Sequence, residues 1–146
     1  MYRSKCALAN FLDHFGDKWS LIIIRDMFLE KKSFNDFLTS PEGIASNILT
    51  NRLKSLINHK IIHFKINPLN KKVKWYYLTD KGTDTYPALI EMMKWSSRNL
   101  NNDFGPYSKI WIEQNTRESN KITSDKVISQ YKIFRKKLFD DSKNHS

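Results

Sequence analysis

Apolar side chains in the first part of the chain recur every three or four positions, the spacing that places them on one face of a helix. This pattern predicts three longer helices, over residues 6–15, 18–29 and 46–58. Ser33, with Asp36 three residues later, has the form of a capping box, so a short helix is predicted to begin there. Pro41 and Gly43 then predict a turn between this short helix and the next one.

After the helix over 46–58, the pattern changes to short runs of β-branched and aromatic residues. These runs predict strands over residues 61–66 and 73–78, and the polar residues 67–72 between them predict the tip of a hairpin. Helical spacing then returns. It predicts helices over residues 86–100, 108–117 and 125–139.

Three helices, a turn, a fourth helix, a hairpin and another helix follow one another in the order of a winged helix-turn-helix. The predicted fold class is therefore mainly α with a small β-hairpin wing. A chain of 146 residues is long enough for one domain with a substantial core. We expect residues 1–103 to form the winged helix-turn-helix domain and residues 104–146 to form a C-terminal helical extension.

The charge of the chain adds a partner to this picture. Lys and Arg outnumber Asp and Glu by 25 to 15, a formal net charge of +10. Such an excess indicates a polyanionic partner, nucleic acid or less often a membrane surface, although a compositional bias toward Lys would also raise it.

The distribution of the charge decides between these interpretations. Residues 43–79 contain no acidic residue. The basic residues of this segment are Arg52, Lys54, Lys60, Lys65, Lys71, Lys72 and Lys74. A basic recognition helix followed by a basic wing is the electrostatic pattern of a protein that binds double-stranded DNA.

The helix over 46–58 and the hairpin carry the side chains that could contact DNA. The candidate recognition-helix residues are Ser46, Asn47, Thr50, Asn51, Arg52 and Lys54. The candidate wing residues are Asn70, Lys71, Lys72 and Lys74. Asn can bond bidentately to adenine and Arg to guanine, whereas wing lysines contact phosphate or the minor groove. Each residue alone could equally be a solvated surface position, so the face as a whole carries the prediction.

The sequence offers no catalytic or metal-binding arrangement. Cys6 is the single cysteine, which excludes an internal disulfide, and His14 lies eight residues away without a third orienting group. We therefore expect a protein that is not an enzyme and that needs no cofactor and no metal. The longest aliphatic run, residues 21–24, is far too short to span a membrane, and no secretory leader is visible. These features predict a cytoplasmic protein without a membrane partner.

Several short motifs stand in a fixed order along the chain. They are Gly16-Asp17-Lys18-Trp19, Ile23-Ile24-Arg25-Asp26, Phe34-Asn35-Asp36-Phe37, Ser40-Pro41-Glu42-Gly43-Ile44, Asn47-Ile48-Leu49-Thr50-Asn51-Arg52-Leu53 and Leu78-Thr79-Asp80-Lys81-Gly82. Together they resemble the HxlR family of MarR-like bacterial regulators. The resemblance implies a transcriptional regulator. It does not imply repression or activation, and repression is our expectation. The resemblance also implies a homodimer, formed through N- and C-terminal helices, on palindromic or inverted-repeat operators.

The last predicted helix is amphipathic. Its apolar positions are Val127, Ile128, Tyr131, Phe134 and Leu138. Because a terminal helix cannot bury such a stripe alone, we expect it to pack on the dimerisation helices and extend the dimer interface. Packing within its own subunit is the alternative.

Cys6 is a candidate redox sensor, because relatives within the resembled family sense oxidants through a cysteine at this place. It stands at the start of a predicted helix, with Arg3 and Lys5 nearby, and positive charge favours a thiolate. The alternative is a small, buried and inert hydrophobic side chain.

Two alternatives to a simple DNA-binding regulator follow from the same residues. A small-molecule effector of unknown identity could bind among dimer-interface aromatic residues, although aromatics at this spacing usually belong to a core. The candidates are Phe11, Phe15, Trp19 and Trp95. A winged helix can also serve as a protein-interaction module, which would call for an acidic or apolar recognition helix.

Overall fold

The computed structural model describes residues 1–100 and 103–143. Helices and strands follow one another as α1 (Ala7–Phe15), α2 (Ser20–Phe28), α3 (Phe34–Leu38), α4 (Ser46–Asn58), β1 (Ile62–Asn67), β2 (Asn70–Leu78), α5 (Asp80–Thr83), α6 (Tyr86–Asn99), α7 (Pro106–Asn115) and α8 (Asn120–Lys143). This order confirms the predicted fold class, a mainly helical chain with a β-hairpin wing formed by β1 and β2.

The starts of α2 and α3 are set by acidic side chains that cap them. Asp17 accepts hydrogen bonds from the backbone amides of Trp19 at 2.8 Å and Ser20 at 2.9 Å, and α2 begins at Ser20, two residues later than predicted. At α3 the Ser33 side chain accepts from the Asp36 amide, and the Asp36 carboxylate accepts from the Ser33 amide. The predicted capping box is therefore present.

The turn between α3 and α4 is held to α2 by the buried carboxylate of Asp26. Arg25 donates to this carboxylate at 2.8 Å, and the Ser40 hydroxyl donates to its other oxygen. Arg25 also reaches Glu42 at 2.5 Å, so a single guanidinium links α2 to the turn. Gly43 completes the turn with a φ of +71°, a conformation that side chains with a Cβ rarely adopt.

One hydrophobic core joins α2, α4, the wing and α6. The recognition helix α4 contributes Leu49, Leu53 and Leu56, each at most 2% exposed, and Ile62 and Leu78 enter the same core from the wing. Because α4 buries one face so completely, its opposite face is fixed toward the outside of the molecule.

The wing is a two-stranded antiparallel sheet that is longer than predicted. The register pairs Ile62 with Leu78 at its base and Asn67 with Asn70 at its tip, with an irregularity after Ile66. Only Pro68 and the residue after it separate the strands, so most of the polar segment predicted as a tip belongs to β2.

The short helix α5 was not predicted, and it joins the wing to α6. Thr79 caps it by accepting from the Gly82 amide at 3.1 Å and donates its hydroxyl to the carbonyl of Lys60 at 2.6 Å. Gly82 packs so closely on the wing that a Cβ there would overlap the carbonyl oxygen of Ile61. The glycine of this motif is thus required by a close backbone approach.

The helix α8 packs within its own subunit. Its Tyr131 is 2% exposed and belongs to the shared core, where its ring lies edge-on to Phe28 with centroids 5.4 Å apart. At the start of α8, Lys94 of α6 donates to the Asn120 side chain at 2.5 Å. Packing on its own subunit is observed, and the extension of a dimer interface by this helix stays a prediction. The division of the chain at residue 103 stays a prediction.

Replacement of Tyr131 tests whether α8 is part of the folding unit. We expect Tyr131→Ala to lower the free energy of unfolding by about 3–5 kcal/mol, because it empties a large buried volume. Urea denaturation followed by circular dichroism measures this change. Ile133→Ala on the same helix is the matched control: Ile133 is 60% exposed, and its loss should cost less than about 0.5 kcal/mol. Equally small effects for both variants would contradict the packing of α8 on the core.

Candidate nucleic-acid interface

The outer face of α4 presents a row of polar side chains to solvent. Five of the six predicted recognition-helix residues are exposed: Ser46, Asn47, Thr50, Asn51 and Lys54. The Thr50 hydroxyl donates to the Ser46 carbonyl at 2.9 Å, and Ala45 at the N-cap supplies no side-chain hydrogen bond. The first turn of α4 therefore keeps its backbone amides without a side-chain acceptor, an arrangement suited to a phosphate group.

Arg52 differs from its neighbours on the recognition helix. It is half-buried, and its Nη1 atom lies 3.5 Å from Oδ2 of Asp17, the residue that caps α2. Burial disfavours ionisation of Asp17, but hydrogen bonds from Ser20 and Trp19 outweigh it, so the pKa of this carboxyl lies below its usual value. Asp17 thus remains charged at neutral pH and holds Arg52 against α2. No local pattern in the sequence predicts this pair, because two helices and a turn separate the two residues along the chain.

The four predicted wing residues fall into two groups. Lys71 and Lys72 are exposed on β2 close to the tip. Lys74 lies over the ring of Phe64, with its Nζ atom 4.5 Å from the ring centroid, and Asn70 accepts from the Lys72 amide at 3.1 Å. Asn70 and Lys74 therefore help to shape the wing, while the two lysines near the tip extend from it.

Lys65, the remaining basic residue of the wing, packs against α8. Its Nζ atom donates to the Leu138 carbonyl at 2.5 Å and lies 4.9 Å from the centroid of the Phe139 ring. Burial lowers the pKa of this ammonium group. Part of the charge of the acid-free segment is therefore engaged within the fold, because Lys65 and Arg52 are half-buried and the exposed Lys74 packs on the Phe64 ring.

Cys6 is the N-cap residue of α1, the first helix of the chain, and it is exposed. Its backbone amide donates to the Ser4 hydroxyl at 3.2 Å. The alternative of a buried, inert Cys6 is wrong for this subunit.

The far end of α1 touches the end of the recognition helix through His14. The His14 and His59 rings lie edge to face with centroids 4.2 Å apart, and the Tyr2 hydroxyl is 2.9 Å from Nε2 of His14. Burial lowers the pKa of His14, and the nearby His59 and Lys81 lower it further. A change at α1 therefore has a direct packing route to α4.

A groove of about 540 Å³ lies between α2, α6, α7 and α8. Its aromatic lining includes Phe28, Tyr86 and Trp111, and the Trp111 indole donates to the Tyr86 hydroxyl at 3.2 Å. The aromatic residues predicted for an effector site lie elsewhere: Phe15 is in the core, and Trp95 is exposed on α6. The sequence did not predict this groove, because six of its sixteen lining residues belong to the segment after residue 103.

The described residues contain neither a metal-binding cluster nor a membrane-spanning helix. Within residues 1–100 and 103–143, no three His, Cys, Asp or Glu side chains are arranged so that they could hold a metal ion. None of the described helices combines the length and apolar character needed to cross a bilayer.

Comparison with known proteins agrees with the fold. A family model described as HxlR-like helix-turn-helix matches residues 14–104. The chain belongs to this family and is a DNA-binding transcriptional regulator of the winged helix-turn-helix class.

Among relatives, the uncharacterized HTH-type transcriptional regulator sll1512 of Synechocystis is 28% identical over 120 residues, 82% of this chain and 80% of its own. The redox regulator HypR in its oxidized form is 30% identical, with a TM-score of 0.58, covering 68% of this chain and 100% of its own. Reduced YodB from Bacillus subtilis is 26% identical, with a TM-score of 0.55 and the same coverage. YodB is also described in diamide-treated and quinone-bound forms.

Proposed function

We propose that the protein binds inverted-repeat operators as a homodimer, with α4 in the major groove and the wing on the backbone or minor groove. The observation that carries this proposal is the exposed polar face of α4 beside the exposed wing lysines, within a segment that contains no acidic residue. A helix of this kind fits the major groove, and its N-terminal half reaches base edges.

The proposed contacts are of two kinds: those that recognise base edges (reading) and those that bind the DNA backbone (holding). Asn47 and Asn51 are the side chains suited to base edges, because an amide can pair bidentately with adenine. Ser46, Thr50 and Lys54 are assigned to phosphates next to the groove. Arg52 keeps a phosphate role as well, since its pair with Asp17 occupies only part of a guanidinium with five N–H donors. On the wing, Asn70, Lys71, Lys72 and Lys74 are assigned to the DNA backbone.

Exposed apolar side chains on the helices flanking the winged-helix core support the dimer. Leu8 on α1 is 66% exposed, and Trp95 on α6 is 53% exposed. Tyr107 and Ile110 on α7 are exposed in the same way. Large apolar groups left in water by one subunit are expected at a subunit interface. A two-fold dimer places its recognition helices on half-sites about one helical turn apart.

Repression is the proposed outcome, because a dimer seated on promoter DNA competes with other proteins for the same grooves. The proposed location is the cytoplasm, where such DNA is accessible in bacteria. The family is one of regulators, and no catalytic role is proposed for this member.

Substitution of Asn51 and of the two wing lysines tests the division between reading and holding. We expect Asn51→Ala to relax the preference at particular base pairs, at a cost of about 1–3 kcal/mol on the best site. Lys71→Ala with Lys72→Ala should weaken binding to all duplexes by a similar factor and flatten the salt dependence. Gel shifts with genomic fragments, followed by sequencing of the retained DNA, give both quantities.

The control for this experiment is Lys121→Ala, which removes one exposed lysine of α8 that pairs with Asp125 away from the interface. If Asn51→Ala weakened every duplex equally, α4 would not be the reading element. Retention of no duplex by the unaltered protein would favour the protein-interaction module instead.

A second candidate function, redox sensing through Cys6, is favoured by the exposure of this thiol at the start of α1. The similarity to the redox regulator HypR supports it. The proposed event joins the Cys6 thiols of two subunits in a disulfide. The two thiols lose two protons and two electrons, which the oxidant takes up. Such a bond would displace α1 and, through His14 and His59, the end of α4.

Oxidant treatment of the wild type and of Cys6→Ser tests this function. We expect diamide to change the DNA affinity of the wild type by about tenfold, and to leave Cys6→Ser unaffected. Mass spectrometry of the same samples reports whether the thiol has reacted. Unchanged affinity in a sample whose Cys6 is fully oxidised would rule out sensing through this residue.

A further inference from the structure

We propose that the C-terminal helix α8 holds the wing in its DNA-contacting position, with Arg135 and Tyr131 as positioning residues. Both backbone groups of Leu78, the last residue of β2, are bound by this helix. The Leu78 amide donates to the Tyr131 hydroxyl at 2.8 Å, and Arg135 donates to the Leu78 carbonyl at 2.9 Å. The same guanidinium donates to the Asp80 carboxylate at 2.8 Å, so Arg135 binds both the last residue of β2 and the first residue of α5.

Both strands of the wing also contact the end of α8. Lys65 of β1 donates to the Leu138 carbonyl. Tyr77 of β2 packs edge-on against the Phe139 ring, with centroids 5.2 Å apart. Side chains alternate across a strand, and the core takes the set that includes Ile62 and Leu78. The end of α8 therefore covers the face of the hairpin that points away from the core.

A two-stranded wing needs a neighbouring element that packs on its second face. A two-stranded hairpin in water is marginally stable by itself, and it becomes fixed only when a hydrophobic face or a neighbouring element packs on it. Here the sheet has two strands, and the core secures one face of it. Besides α8, a backbone bond from the Tyr76 amide to the Lys32 carbonyl at 2.7 Å ties β2 to the segment before α3.

This role rests on the proposed function, because it assigns to α8 an effect on DNA that passes through Lys71 and Lys72. It also separates this chain from the family pattern, since α8 begins after residue 104, where the family match ends. The extension would raise affinity for all duplexes alike, because the wing residues it positions contact the backbone.

Hydrogen exchange of the free protein tests the mechanical part of the proposal without DNA. In Arg135→Met, which keeps the aliphatic stem, we expect the amides of β2 to exchange about tenfold faster than in the unaltered protein. Tyr131→Phe, which removes only one hydroxyl, should accelerate the Leu78 amide. Lys126→Met is the matched control, because it removes one cation from α8 at its ion pair with Glu118, away from the wing. Unchanged β2 exchange in both wing-facing variants would overturn the proposal.

A double-mutant cycle tests whether the effect on DNA passes through the wing. Arg135→Met should weaken duplex binding about fivefold, and by less than about 1.5-fold when Lys71 and Lys72 are already alanine. Lys126→Met should leave affinity nearly unchanged in both backgrounds. An equal loss in both backgrounds would overturn the inference, because Arg135 would then act on DNA directly or through general stability.

The two measurements distinguish failure of this inference from failure of the proposed function. If the unaltered protein bound no duplex, the proposed function would be wrong. Hydrogen exchange of the β2 amides would still show whether α8 holds the wing. If duplex binding held but β2 exchange did not respond, only the role of α8 would be wrong.

Discussion

Burial of a single core by α4 and the wing fixes the positions of the two elements that are proposed to contact DNA. Three leucines of α4 and Leu78 of β2 are almost completely excluded from water in the same cluster. Neither element can rotate without exposing these side chains, which costs about 1.5–3 kcal/mol for each one. Leu78 also carries the contacts to α8 through its backbone, so the core, the wing and the C-terminal extension meet at this residue. The polar face of α4 and the lysines of the wing are the surface that this packing leaves outside.

Periodicity and local signals were enough to predict the helix-turn-helix and the wing. The capping box at Ser33 and the turn at Gly43 depend on neighbouring residues only, and such signals can be read from a single sequence. The interactions that the sequence did not reveal join distant parts of the chain. Lys65 bonds to a carbonyl 73 residues away, and Arg135 bonds to one 57 residues away. No local pattern encodes which surface an amphipathic terminal helix will cover, and for this reason two placements of α8 stayed open.

The acid-free segment shows how charge serves the fold and the DNA at once. Its composition predicts which side of the molecule faces DNA, but it overstated the charge that is not engaged within the fold. Arg52 is held by Asp17, Lys65 by α8 and Lys74 by the ring of Phe64. Cations of this kind stabilise the shape of the interface through ion pairs, cation–π contacts and bonds to carbonyls. The exposed lysines of the segment that take no part in these contacts are Lys54, Lys60, Lys71 and Lys72, and we expect them to neutralise phosphates.

The salt dependence of duplex binding tests this account most directly, because each neutralised phosphate releases counterions from DNA. Lys54, Lys60, Lys71 and Lys72 of both subunits would neutralise about eight phosphates and give a log–log slope near −7. Arg52 and Lys74 add little to this number, because Asp17 and the Phe64 ring already hold them. Fluorescence anisotropy on one labelled operator fragment over a range of KCl concentrations measures this slope. A slope between about −6 and −8, with weaker binding to the single strands, is the predicted result. A slope near zero, or equal affinity for single strands, would contradict the proposed placement of α4 and the wing on duplex DNA.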